Sequence, residues 1–356
     1  MSRHRHRAWL GAALLLACTT GGSGAHAEPF PERPVKIVIP YPISGPPDIS
    51  GTSRITKTYK LIALNAPPSV SDVLARVAAR AIGAGSRHAA VLERQPGGVT
   101  TRGARAVARA PADGYTLLLA SNATMVIQPH FLQSVEYEPV RDFVLVAPLA
   151  AMPFVLLANS SVRADTTKGL VEWLKVRPGE VNYGSSGDGS FGHLAGELLR
   201  RATGVDIVHV SYNGGLAALG GLSTGQVSLM FAALPLALPY VSAGQFTALG
   251  IASRSRFALL PAVPTLIESG LPEFEVEGWF GLFGPARMPA AAGAWLNEKI
   301  AADIGDHATR MQLLALGLDP AGGTLAQYAT RIHAESERWG PVLRASRIPP
   351  REGRSG

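Results

Sequence analysis

The residues best placed to do chemistry lie between a strand and a helix. Val181-Asn182-Tyr183 reads as the end of a short strand, and Gly184–Ser190 (GSSGDGS) follows it as a loop that can present several backbone N–H groups at once. A helical pattern comes next, with Leu194, Leu198 and Leu199 on one face and Gly204 as its stop. A helix N-terminus has unpaired N–H donors and about half a positive charge, so it holds anions. The loop hydroxyls add donors. The expectation is a small-anion site built without a buried cation.

Other chemistries compete for the same stretch and its neighbours. Gly187–Gly192 is a literal GxGxxG, which invites a nucleotide-dependent enzyme. The acid that would hold the ribose should close the next strand, yet Asp206 precedes Ile207–Val210. Gly221–Gly225 matches GxSxG, which offers Ser223 as the nucleophile of an exported hydrolase. That elbow needs a strand before the serine and a helix after it, and here the order is inverted. His193 lies one turn into the helix and either shapes the loop or fills space. With no spaced His or carboxylate partner, it predicts no metal site. Arg254 and Arg256 read as solvated surface, and Trp279 and Phe280 as packing.

The elements that must carry these residues alternate. Strands are expected at Val35–Ile39, Ala89–Glu93, Tyr115–Ala120, Val181–Tyr183, Ile207–Val210, Val227–Phe231, Ala248–Ala252 and Phe280–Phe283. Helices are expected at Val73–Ile82, Thr101–Arg109, Leu170–Lys175, Leu216–Gly220, Ala292–Ile304, Ala308–Leu316 and Leu325–Ala345. Phe143–Leu149 and Phe154–Ala158 are apolar runs separated by Met152-Pro153. This βαβ alternation implies a mainly parallel sheet covered by helices. If Val144–Ala158 and Val276–Pro285 both cross between lobes, a ligand would lie in the cleft at carboxyl ends of strands. One long α/β domain is the other reading. Residues 49–72 break the rhythm, and Tyr59–Leu64 within them echoes Val35–Pro40.

Residues 1–27 read as a signal peptide: Arg3, Arg5 and Arg7, then apolar Ala8–Ala17, then Ala25-His26-Ala27 before Glu28. Leu15–Cys18 resembles a lipobox, so anchoring through Cys18 is the alternative. Cys18 is the only cysteine, which leaves no disulfide to the fold. Losing the three arginines takes the formal charge from +7 to +4, and Lys and Arg are scattered, so nucleic acid is not an expected partner. No other segment offers about 18 continuous apolar residues.

Several stretches together resemble a known family. They are Phe30–Pro42 (FPERPVKIVIPYP), Ala112–Leu118 (ADGYTLL), Tyr183–Leu194 (YGSSGDGSFGHL), His209–Gly215 (HVSYNGG), Gly225–Phe231 (GQVSLMF), Val263-Pro264-Thr265, Gly278–Leu282 (GWFGL) and Glu337-Arg338-Trp339. In this order they resemble the periplasmic solute-binding proteins of tripartite tricarboxylate transporters, the Bug family. The resemblance implies an α/β type II periplasmic binding protein whose two βαβ lobes, with central mixed sheets, are joined by two crossing segments. Lobe 1 would be 28–152 plus 278–348 with the insertion 49–72, lobe 2 would be 153–277, and 349–356 would be a disordered tail. It further implies a periplasmic monomer with no cofactor and no catalysis, which captures a small organic carboxylate and hands it to inner-membrane permease subunits. Carried over by motif, the ligand contacts are Tyr41, Ser44 and Gly45, Ser121 and Asn122, Ser186, Gly189, Ser190 and His193, and Tyr212, Asn213 and Gly214. Three departures stand out. Ala232-Ala233 replaces the usual Asp-Asn, so a ligand amine loses its partner. Asn213 replaces a lysine. Residues 49–72 fall directly after the first ligand loop.

Overall fold

The computed structural model describes residues 30–41, 69–132, 135–321 and 323–345. The expected signal peptide, Cys18, Ser44, Gly45, the Tyr59–Leu64 echo and the tail lie outside them. Ten strands and eleven α-helices alternate among the described residues. One chain of pairings runs through eight strands in the order β2-β1-β3-β9-β4-β7-β5-β6, and β8 (Thr247–Ile251) and β10 (Asp319–Pro320) also pair with β4.

The first half-sheet begins with β1 (Lys36–Ile39), parallel to both β2 (Val91–Arg94) and β3 (Thr116–Ser121). β1 and β3 are almost wholly apolar because helices cover both faces of such strands. β9 (Glu277–Pro285) lies antiparallel to β3 on one side and to β4 (Phe143–Ala158) on the other. α1 (Val70–Ala84) and α9 (Ala290–Gly305) cover one face, with Leu74, Ile82, Leu296 and Ile300 buried against Ile37, Leu117 and Leu119. α1 starts at Val70, so the last three residues of the stretch expected as an insertion form its first turn.

The two apolar runs separated by Met152-Pro153 form one 16-residue strand, which spans the crossing expected at Val144–Ala158. Proline donates no ladder bond and is tolerated at irregularities. Register shifts accordingly flank Pro148, and Pro153 sits where β4 changes partners. Up to Pro153 it pairs with β9, and from Phe154 it pairs with β7 (Leu229–Ala233). There it enters the second half-sheet, between β7 and β8 (Thr247–Ile251), with β5 (Val181–Ser185) and β6 (Ile207–Ser211) continuing parallel to β7. Another cluster of buried side chains runs across both half-sheets, from Val38 and Leu118 through Phe154 and Trp279 to Tyr183 and Leu199.

Helices α6 (Phe191–Thr203) and α7 (Gly215–Thr224) follow β5 and β6. α6 buries Leu194 and Leu199, half-buries Leu198, and stops at Gly204 in the left-handed conformation, φ 72°. α8 (Leu234–Ser242) shows no helical signal in the sequence because it holds two prolines. Pro235 occupies its first turn, where no amide is needed, and Pro239 gives up one internal bond. The C-terminal helix, α11 (Leu325–Ala345), packs against the turn after β3 and against β4.

Candidate ligand-binding site

The described candidate residues fall at four places, each just past the carboxyl end of a parallel strand. Tyr41 follows β1, Ser121 ends β3 with Asn122 next, Ser186–Ser190 follow β5, and Tyr212–Gly214 follow β6. Such ends are where open α/β sheets bind ligands, because side chains and helix N-termini converge there.

The first half-sheet brings Tyr41 and Ser121 together, the phenol donating to Ser121 Oγ at 2.9 Å. Burial raises the Tyr41 hydroxyl above its ordinary value of 10, so it remains a donor. Phe280 packs edge-on against its ring at 6.0 Å. Asn122 is almost wholly buried and its amide is engaged by protein. Nδ2 donates to the Glu277 carbonyl at 2.9 Å and to Glu335 Oε2 at 3.2 Å, and Oδ1 accepts from the Trp279 amide at 3.3 Å. It ties the turn after β3 to the start of β9.

In the second half-sheet the loop spends part of its donors on itself. The Gly187 amide donates to Ser185 Oγ at 3.2 Å, Gly189 to His193 Nδ1 at 3.2 Å, and Ser190 to the Gly187 carbonyl at 3.1 Å. Ser190 Oγ caps α6 by accepting from the His193 amide at 3.4 Å. The amides of Ser186, Asp188, Phe191 and Gly192 have no partner among the described residues. The free donors are thus Ser186 and Asp188 together with Phe191 and Gly192 at the start of α6. Tyr212 and Gly214 tie the two loops together by donating to the carbonyls of Ser185 at 3.1 Å and Ser186 at 3.3 Å. The Tyr212 ring turns back against Gly184 and Gly221, while Asn213 is exposed. Gly192 has to be glycine: a Cβ there would stand 2.7 Å from the Phe231 carbonyl, the contact that seats α6 on β7.

His193 is buried, and behind it sits a residue the sequence reading did not single out. His209 stacks on it, with ring centroids 3.7 Å apart and planes 10° from parallel. The parallel register that sets His209 opposite Tyr183 brings them together. Because His193 Nδ1 accepts from Gly189, its proton resides on Nε2. Burial holds His193 below its ordinary value; burial and then the neighbouring His193 lower His209 to about 4. Both rings are neutral at pH 7.

Asp188 completes a His–His–Asp group whose ligand atoms lie within 4.8 Å of one another, so His193 does have the neighbours its sequence spacing lacked. Stacked rings suit an ion poorly, since an ion in the plane of one ring lies off the plane of the other. Ser185, His209 and Asp188 also line up as in a hydrolase: Ser185 Oγ is 2.7 Å from His209 Nε2, and His209 Nδ1 is 3.8 Å from Asp188 Oδ1. The proton count argues otherwise. Ser185 is fully buried, and its one hydrogen goes to the Gly187 carbonyl at 3.0 Å, so His209 donates to it and takes no proton. Ser223 is exposed in the last turn of α7, with no strand before it. Arg254 and Arg256 form surface pairs with Glu275 at 2.7 Å and Glu268 at 2.9 Å. Trp279 is core.

The family model described as "Tripartite tricarboxylate transporter family receptor" matches residues 74–348. The BugT protein of Bordetella pertussis is 30% identical over 94% of this chain and 96% of its own. Among solved structures, Rpa4515 of R. palustris, described with adipate, is 28% identical with TM-score 0.71, covering 90% of this chain and all of its own. MatC (Rpa3494) of Rhodopseudomonas palustris, described with bound malate, is 28% identical with TM-score 0.66, covering 88% of this chain and all of its own. With most of its length matched by the family model and by these relatives, the chain belongs to the TctC family of tripartite tricarboxylate transporter receptors.

Proposed function

We propose that this receptor captures a small organic carboxylate between its two half-sheets, in the periplasm, and passes it to a tripartite tricarboxylate-type permease. The observation that carries the reading is the set of free amides at Ser186, Asp188, Phe191 and Gly192, at a helix N-terminus in a chain of this family. Amides aimed at a carboxylate form charge-assisted bonds, and the helix dipole adds to them. The adipate and malate held by two relatives set the ligand class.

Two lobes divide at Met152–Pro153 and near 277, where β4 passes from β9 to β7 and the chain returns into β9. Tyr41 and Ser121 contribute from lobe 1, and the 186–192 loop with Asn213 from lobe 2. Closure removes water and strengthens the anion contacts, and a ligand stabilises the closed state by its greater affinity for it. Export by the 1–27 signal and action as a monomer complete the reading. Ala232-Ala233 leaves no acid at the end of β7, so a ligand ammonium finds no counter-charge there.

Calorimetry with adipate, malate, tricarboxylates, aromatic acids and nicotinate-like acids tests this, with glutamate beside them as the amino acid probe. A simple diacid should bind and glutamate should bind more weakly. Silence across the panel from folded protein refutes the proposal.

A further inference from the structure

The two groups of candidate residues are far apart in sequence, yet one helix touches the supports of both. On α11, Arg331, Glu335 and Trp339 recur every four residues and so share a face. Glu335 is 13% exposed and accepts three bonds. Oε2 takes the Asn122 amide at 3.2 Å and the Trp279 indole N–H at 2.9 Å, and Oε1 takes Arg331 Nε at 2.8 Å. Asn122 is the neighbour of Ser121. One turn on, buried Trp339 packs against Phe191, ring centroids 6.3 Å apart. Phe191 is the first residue of α6 and carries one of the free amides. Phe191 also packs on Phe154, where β4 changes partners, at 5.7 Å.

Arg331 extends the network to the returning chain, with Nη2 2.7 Å from Glu277 and 3.6 Å from Glu275. Glu275 in turn holds Arg254, just past β8, at 2.7 Å. A cavity of about 570 Å³ borders this face, lined by Glu275, Glu277, Arg331 and Glu335 among others.

We infer that Glu335 is a positioning residue for ligand capture: it sets the loop after β3 against the N-terminus of α6, so that Ser121 and the free amides meet the same ligand. The inference rests on the proposed function. Glu335 touches no ligand. It acts through Asn122 and through the helix face it shares with Trp339.

The test compares full-length wild type, Glu335→Gln and Glu337→Gln, with adipate and malate as probes. Glu337 lies on the exposed face of the same helix. Glutamine keeps the shape of residue 335 but offers one acceptor oxygen where three donors converge. Affinity is read by calorimetry, and the Trp279 indole N–H by two-dimensional NMR. Wild type should bind, and the acid should shift the indole resonance. Glu335→Gln should bind about tenfold more weakly and lose that shift, while Glu337→Gln matches wild type. Binding within about twofold of wild type by Glu335→Gln overturns the inference alone; so does an unchanged indole response, which would mark a merely structural role. Wild-type silence towards both acids overturns the proposed function and the inference with it. Should Glu335→Gln not fold, Arg331→Lys, which loosens the same carboxylate, gives the same two readings.

Discussion

Acid should loosen this fold through the stacked histidines, and His209→Gln isolates the effect. Folded His209 resists protonation down to about 4, against a usual value of 6.5. Burial and the adjacent His193 outweigh Asp188 and Glu197, which pull the other way. Above pH 6.5 neither state is charged and the group contributes nothing. Below it the unfolded chain binds a proton that the folded chain refuses, so stability falls with pH until the folded ring titrates near 4. The full window is worth about 3.4 kcal/mol at about 1.36 kcal/mol per pH unit. Solvent reaching the ring edge reduces that to about 2 kcal/mol. Going from about pH 7.5 to about pH 5 should therefore cost wild type about 1 kcal/mol through this ring, and His193 adds in the same direction. Glutamine can still donate to Ser185 but does not titrate. Urea melts of both proteins at the two pH values give the difference, since the carboxylates common to both cancel. Equal losses in the two proteins, or a wild type more stable in acid, would refute the reasoning.

Four further outcomes are expected. Gly192→Ala must push α6 away from the Phe231 carbonyl, costing about 1–3 kcal/mol in a denaturant melt, and should weaken carboxylate binding beyond that loss. Tyr41→Phe removes the donor to Ser121; it should cost about 1 kcal/mol of stability and leave the far-ultraviolet spectrum unchanged. Phe154→Ala empties a buried site between β4 and Phe191, worth about 3–5 kcal/mol by calorimetric melting. Ser223→Ala should leave ligand affinity unchanged, and a lost hydrolytic activity in that variant would contradict the assignment of Ser223 to an exposed helix end.

Much of the scaffold could be read in advance because its strands are short apolar runs and its helices keep a 3.6-residue period. α6 is the clearest case: its apolar stripe, its glycine stop and the loop before it were all legible. Prolines hid the rest. Pro153 split one strand into two apolar runs, and Pro235 and Pro239 masked α8, since local propensity cannot say that a change of strand partner or a first helical turn will accommodate them. Within the site, the strand ends were legible and the hydrogen-bond bookkeeping was not. Which loop amides remain free depends on where Ser185 Oγ and His193 Nδ1 point. The contact between His193 and His209 depends on how β5 registers with β6. The reach of Glu335 to Asn122 spans most of the chain. Such long-range pairings leave no local signature.

The strand that changes partners at Pro153 belongs to two sheets without interruption. Neither sheet can therefore be cut out as an autonomous folding fragment: a chain severed on either side of residues 143–158 strands one part with an unsatisfied edge through its middle. Denaturation should accordingly register as a single cooperative event despite the ligand-gripping motion proposed for the same molecule. A receptor organised in this way flexes about its backbone while remaining, thermodynamically, one object.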